Sequence, residues 1–390
     1  SMTQVVDRAA TATAVTSNFN PSVQFLGVTL TATVSGAVGQ AGPSGNVEFR
    51  DGTTVLGTGS VANGVASYVA TFTVAGNHSI TAAYVGDGNY LGSTSPAINQ
   101  VVLRATTTVV TSNRVPSANP GQSITFTATV RPVTGTGNPT TGVVQFREGP
   151  TVLGNGVYIG NGRWTYSTTT LPAGSHTIIA SFLGSGNYAA SEGTYVQVVN
   201  QFTTTTTITS SVNPSRFGQT VTFTARVQPN PGSGDVAFTI DGTPAGSFPM
   251  DATGRARMPI NSLSVNVHSI VASYAGSANY GASTSAAFNE TVNKSNSRAT
   301  IATSGSPVAF GSPVTFTVTV TAVAPGAGMP SGDVQFFVDN VLVDTQPLVL
   351  GQAASTQSNI ARGRHTVRAT YLGGVNFNLD ASNNITQRIN

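Results

Sequence analysis

The chain has no cysteine, a single lysine and a single tryptophan in 390 residues, and only 8 % of its residues carry charge. Without cysteine there are no disulfides, no thiolate metal sites and no cysteine nucleophile. With Lys294 as the sole lysine, a lysine-based isopeptide cross-link cannot be a general device of the chain. The net charge of +3 comes from scattered arginines, the densest group being Arg362, Arg364 and Arg368. Nucleic-acid binding needs a dense basic face, so no nucleic-acid partner is expected. No run of 18 apolar residues is present, so no helix of this chain is expected to insert in a membrane. The N-terminus lacks the pattern of a signal peptide, and Ser1-Met2 reads as a cloning scar.

What the sequence does have is 39 % hydrophobic residues, 43 glycines, 20 prolines and threonine almost everywhere. That hydrophobic content with so little net charge argues for packed cores rather than disorder. The length exceeds what one core supports and predicts several domains.

A threefold set of landmarks recurs four times in fixed order. Gly86-Asp87-Gly88-Asn89-Tyr90 returns as Gly184–Tyr188, Gly276–Tyr280 and Gly373–Phe377, with asparagines 98, 92 and 97 residues apart. Val28–Ala32 returns as Ile124–Ala128, Val221–Ala225 and Val314–Val318. Val47 and Phe49 before Asp51-Gly52 return before Glu148-Gly149, Asp241-Gly242 and Asp339-Asn340. A period near 95 residues is a domain, not a solenoid unit.

Within the second copy, alternating apolar and polar residues predict seven strands, near residues 107–111, 123–131, 143–147, 151–153, 163–170, 175–182 and 194–199. Ile124, Phe126, Ala128 and Val130 point one way, and Thr125, Thr127 and Thr129 the other. Threonine forms strands well and keeps the outer face polar without charge. The expected fold is all-β, with four tandem immunoglobulin-like, seven-stranded antiparallel β-sandwiches in an elongated array. Expected boundaries are 11–104, 105–202, 203–297 and 298–390, without Pro-rich or Gly/Ser-rich linkers. Residues 1–10 read as scar plus the tail of a preceding repeat, since Thr3–Arg8 resembles Asn99–Arg104. Further copies are expected upstream.

Gly45-Asn46-Val47-Glu48-Phe49 with Asp51-Gly52-Thr53, Leu56-Gly57, Gly76–Ile80 and Ala83-Tyr84 through Tyr90 together resemble the bacterial Ig-like domains of group 3. The resemblance covers nearly the whole chain. It implies the sandwich fold and tandem arrays of the kind found in surface adhesins, secreted enzymes with appended modules and phage structural proteins. The fourth copy departs most, with Phe377 for tyrosine and a diverged Ala353–Asn359 segment.

The four histidines, His78, His176, His268 and His365, fall on one repeat position, on the inward phase of a strand. A metal site needs three or four converging ligands and each copy offers one histidine, so each ring is expected to bond a loop carbonyl, with no metal. The Gly-x-x-Asn-aromatic turns offer too few carboxylates for calcium; asparagine is expected in left-handed backbone there, and the aromatic as a plug in the sandwich end. The junctions lack the acidic clusters of calcium-stiffened linkers. Asp51, Glu148, Asp241 and Asp339 suit hairpin turns rather than paired acid–base work. No catalytic residue and no cofactor is expected.

Trp164, whose counterparts are Ala66, Ala256 and Ala353, is in phase with Tyr166 and reads as core; it is also the one weak candidate for ligand binding, since sugars stack on aromatic faces. The loops at residues 35–44, 132–141, 229–233 and 322–331 vary most and are where binding is expected if there is any. The function this predicts is a non-enzymatic stalk or spacer of a bacterial surface or secreted protein, supporting adhesion. Four domains in line would reach about 150 Å. The alternative is a module binding a glycan or protein on a cell surface, as an accessory to a secreted polysaccharide-degrading enzyme for example. A monomer is expected.

Overall fold

The computed structural model describes residues 6–36 and 42–390. The first half of the expected tail strand Thr3–Arg8 and the centre of the 35–44 loop lie outside those residues. The described chain is entirely strands and turns, arranged as four immunoglobulin-like sandwiches in sequence.

The first domain contains β1 (Ala12–Ser17), β2 (Ser22–Val23), β3 (Gly27–Ser35), β4 (Asn46–Asp51), β5 (Thr54–Ser60), β6 (Val65–Thr71), β7 (Gly76–Tyr84), β8 (Ser93–Thr94) and β9 (Ile98–Leu103). One sheet has the order β1-β3-β6, the other β2-β9-β7-β4-β5, with β8 on β7. The alternation in β3 does what the pattern demands: Val28, Leu30, Ala32 and Val34 are buried and the threonines between them face outward. Phe49 and Val47 from β4, with Ile80, Ala82 and Tyr84 from β7, complete the core from the opposite sheet. Each fully buried valine, leucine, isoleucine or phenylalanine among them contributes roughly 1.5–3 kcal/mol by leaving water, and each alanine less. The other three domains each close a separate core in the same way.

Two features depart from the sequence reading. The sandwich is not wholly antiparallel: β2 pairs parallel to β9, Ser22 opposite Val102. The chain leaves the first sheet after β1 and joins the edge of the second, so that first and last strands run side by side. The second and third domains repeat this at Ser117–Ala118 and Ser215–Arg216, and the fourth keeps one parallel bridge, Val308 to Ile389. Secondly, the second domain has an extra strand, Val157–Gly160, on the edge of its first sheet, beside Arg163–Thr168. All seven strands expected in that domain are present.

Compact packing divides the chain into two units, residues 1–200 and 201–390. In the first, Gln24 ties its domain to the next: its Nε2 donates to the Thr73 carbonyl at 2.9 Å and its Oε1 accepts from the Ala105 amide at 3.2 Å. In the second, Phe217 packs against both hydrophobic cores, with its ring 5.7 Å from that of Phe377.

Candidate functional site: a repeated histidine–carboxylate clasp

The hairpin after β4 presents Asp51, and β7 begins two residues before His78; the β4–β7 pairing brings the two side chains together. His78 Nδ1 lies 2.6 Å from Asp51 Oδ2 and its Nε2 3.0 Å from the Val74 carbonyl. The arrangement is rebuilt in each domain. His176 meets Glu148 at 2.9 Å and the Pro172 carbonyl at 2.9 Å. His268 meets Asp241 at 2.7 Å and the Ser264 carbonyl at 3.0 Å. His365 meets Asp339 at 2.7 Å and the Ala361 carbonyl at 2.8 Å. In the last two, the second carboxylate oxygen accepts the amide of the residue after the histidine, Ser269 or Thr366, at 2.8 Å.

The loop carbonyl was foreseen from the sequence; the carboxylate partner was not. The signal was present, because the acid and histidine columns recur together 26 to 28 residues apart in every copy.

At His268 and His365 each ring nitrogen faces an acceptor, which favours an N–H on both and so the charged imidazolium. Burial works against that charge at His268, but the Asp241 hydrogen bond and the Ser264 carbonyl outweigh it and raise its pKa. At His365 the Asp339 hydrogen bond is the main cause of the upward shift. Reciprocally, the histidine hydrogen bond holds the Asp241 and Asp339 carboxyls below the usual range.

In the third domain Ser264 Oγ also lies 3.3 Å from His268 Nε2, giving the outline of a Ser-His-Asp triad. A triad histidine must offer Nε2 as a base to the serine. Here Nε2 also faces the Ser264 carbonyl at 3.0 Å, an acceptor that favours a proton on that nitrogen over a lone pair for the hydroxyl. The arrangement links a hairpin, a strand and a loop. Among the described residues no group of three or more histidines and carboxylates converges as a metal site would.

The landmark turns act differently from expectation. The asparagines do not take left-handed backbone; Gly86, Gly184, Gly276 and Gly373 do. What each asparagine supplies is its carbonyl, which accepts an amide from the segment entering the domain: Ala9 to Asn89, Arg104 to Asn187, Phe202 to Asn279 and Ser295 to Asn376, at 2.7–2.9 Å. The following aromatic is buried at Tyr90 and Phe377 and half-buried at Tyr188 and Tyr280. Around the first turn, Asp87 accepts the Ser44 amide, the Asn89 amide and the Ser44 hydroxyl, and these bonds hold its carboxyl far below the usual range; it also accepts the Tyr90 amide.

Trp164 is 1 % exposed, between the rings of Tyr158 at 4.9 Å and Phe182 at 5.7 Å. It presents no ring face to solvent. Its cross-strand partner is Ala128, as Ala66, Ala256 and Ala353 pair with Ala32, Ala225 and Val318. Tyr158, from the extra edge strand, covers the added volume. Lys294 donates to the Gly374 carbonyl at 2.7 Å, between the third and fourth domains.

Tandem sandwiches with a parallel first-to-last strand seam and one clasp apiece define a class: a multidomain protein of immunoglobulin-like modules. Specifically, the chain belongs to the bacterial Ig-like domain (group 3) family, which matches residues 11–103, 110–200, 207–293 and 301–390. No curated protein matches it. Solved structures similar to it include the ICAM-5 D1–D4 ectodomain fragment, at 11 % identity over 97 % of this chain and 100 % of that one, with a TM-score of 0.35. The Escherichia coli adhesin FdeC is 16 % identical over 74 % of this chain and 99 % of that one, with a TM-score of 0.26. A 1.5-MDa bacterial ice-binding adhesin is 13 % identical over 72 % of this chain and 98 % of that one, with a TM-score of 0.26.

Proposed function

We propose that the chain is a non-enzymatic spacer segment of a bacterial cell-surface or secreted protein, holding a functional head at a distance. The observation that carries this reading is the way each domain begins. Its entering residue is hydrogen-bonded into that domain's own landmark turn, so a new sandwich starts within a few residues of the last strand of the one before. Repeated closed cores, outward threonine and sparse charge suit a surface that stays in solution while touching little. Small-angle scattering tests the reading. A compact particle of this length has a radius of gyration of about 21 Å; a spacer gives a value well above that, and a compact value contradicts it.

A second reading, a binding module, is favoured by one groove. In the fourth domain Met329 and Leu350, 61 % and 80 % exposed, stand at a groove of about 460 Å³ with Pro330 and Thr321. Trp164 is not part of it. Saturable binding on a glycan array or in a pull-down, lost in a Met329→Ser, Leu350→Asn double variant, would support this reading over the first.

A further inference from the structure

The outward face of the third domain's first sheet departs from its sisters. That sheet has the order Thr205–Ser210, Val221–Gln228, Arg255–Ile260. Arg226 stands directly opposite Arg255, and Thr224 opposite Arg257. Where the third domain pairs two arginines, the first pairs Thr33 with Val65, the second Thr129 with Arg163 and the fourth Thr319 with Gln352. At the Arg257 position the sisters hold Ser67, Thr165 and Ala354. Strand pairing thus gathers three of the chain's 17 basic side chains on one sheet face, although Arg226 is remote from the other two in sequence.

Like charges directly opposite each other on a sheet cost stability, and guanidinium stays charged across the physiological pH range. The pair therefore calls for a counter-charge. Only Arg257 has one, its Nη1 lying 2.8 Å from Asp251 Oδ2. Among the described residues no carboxylate or hydrogen-bond acceptor meets the guanidinium of Arg226 or Arg255. A groove of about 410 Å³ lies over the face, lined by Thr207, Thr209, Thr224, Arg226, Arg255 and Arg257. Its chemistry is two unpaired planar forks set among hydroxyls, with no apolar or aromatic side chain in the lining.

We propose that this face binds an acidic polysaccharide, with Arg226 and Arg255 holding one sugar-borne oxyanion, a carboxylate or a sulfate, between them. A guanidinium presents paired N–H donors that match two oxygens of such a group. Residues directly opposite on neighbouring strands have Cβ atoms about 4.5–5.5 Å apart, close enough for both forks to reach one anion. Thr207 flanks Arg226 on its other side and Thr224 lies two residues before it, which sets hydroxyl donors and acceptors beside the anion for the hydroxyls of the sugar. Single-stranded nucleic acid would want aromatic platforms for its bases, and the groove has none. An acidic peptide would want an apolar surface for its side chains, and the lining offers none. The site adds to the spacer role and does not depend on it.

Isothermal titration of the full chain with polygalacturonate, dextran sulfate and uncharged dextran tests the site. The expected result is saturable binding of at least one anionic polymer, weakening as salt is raised, and none of dextran. Binding of polygalacturonate alone identifies the anion as a carboxylate, and of dextran sulfate alone as a sulfate. An Arg226→Gln, Arg255→Gln double variant should bind about tenfold more weakly or worse. Arg362→Gln with Arg364→Gln, which removes the same charge from the fourth domain, should leave the affinity unchanged. Equal loss in both variants means attraction to net charge and overturns the proposal, as does no binding of either polymer. Single-stranded DNA bound more tightly than both polymers, with the same dependence on Arg226 and Arg255, overturns it too. Because the first double variant relieves opposed charges, it should melt no lower than the wild type, so that its lost binding is not unfolding. A lower melting temperature would assign the two arginines to packing and contradict the site.

Discussion

At the residue scale, His365 and His268 hold together a hairpin, a strand and a loop with one ring each. The sign of their pH dependence follows from two opposite shifts. A histidine whose pKa is raised on folding contributes stability in full below its unfolded value, about 6.5, and loses it as pH rises through the folded value. Its aspartate, whose pKa is lowered, contributes above about 3.9 and loses it as pH falls through the folded value. The clasp is thus strongest between roughly pH 4 and 6.5. Thermal melts of wild type and His365→Ala from pH 4 to 9 should diverge most in that window and converge toward pH 9; a constant gap would refute the charged clasp. Trp164 gives a second test at this scale. Truncating it to alanine leaves a cavity under Tyr158 and should cost about 3–5 kcal/mol in denaturant melts, although the sister domains hold alanine there, because only the second domain has built an extra strand over the site. The inward phase of the histidines and of Trp164 was legible because a strand alternates with period two. The pairing of acid and histidine leaves no local pattern, because strand pairing joins residues 26 to 28 apart; its only trace in the sequence is the joint recurrence of the two columns.

At the scale of elements, the strands expected from alternation are present, and the strands missed are those without enough residues to alternate. Ser22–Val23 is two residues long, too short for any period, and its parallel register is set by Gln100 and by Asn20, which bonds the strand opposite through its Oδ1 and Nδ2. Val157–Gly160 was hidden because Val157, Tyr158 and Ile159 form a continuous apolar run. The hairpin before the third strand of the first sheet shows what drift between copies does. Asn63 and Asn161 hold left-handed backbone at φ near +50°, where the fourth domain holds Leu350, also at +50° and 80 % exposed. Asparagine tolerates that region and leucine does not. Leu350→Asn should therefore stabilise the fourth domain by about 1 kcal/mol, read as a shift in denaturant midpoint; a loss of stability would show that the leucine side chain makes a contact of its own.

At the scale of the whole molecule, the two described junctions use different chemistry. The Gln24 junction is polar, with Arg104 donating to the Thr134 and Thr136 carbonyls and lying over the Tyr188 ring. At the other, the apolar ring of Phe217 is shared by two cores, beside the Lys294–Gly374 hydrogen bond. Phe217→Ala should uncouple the third and fourth domains, splitting their unfolding into separate calorimetric transitions, whereas changes at Gln24 should leave the second unit untouched. The repeat fixes how many domains there are, while junction contacts depend on single residues such as Gln24 and Phe217 that differ between otherwise equivalent positions, so they could not be read from the repeat. The central claim is that four copies of one unit each bury an apolar face unaided. Its most direct test is the second copy alone, residues 103–202, studied by heteronuclear NMR and thermal melting. Dispersed amide signals and a single cooperative transition are the predicted result; an unstructured fragment would contradict it.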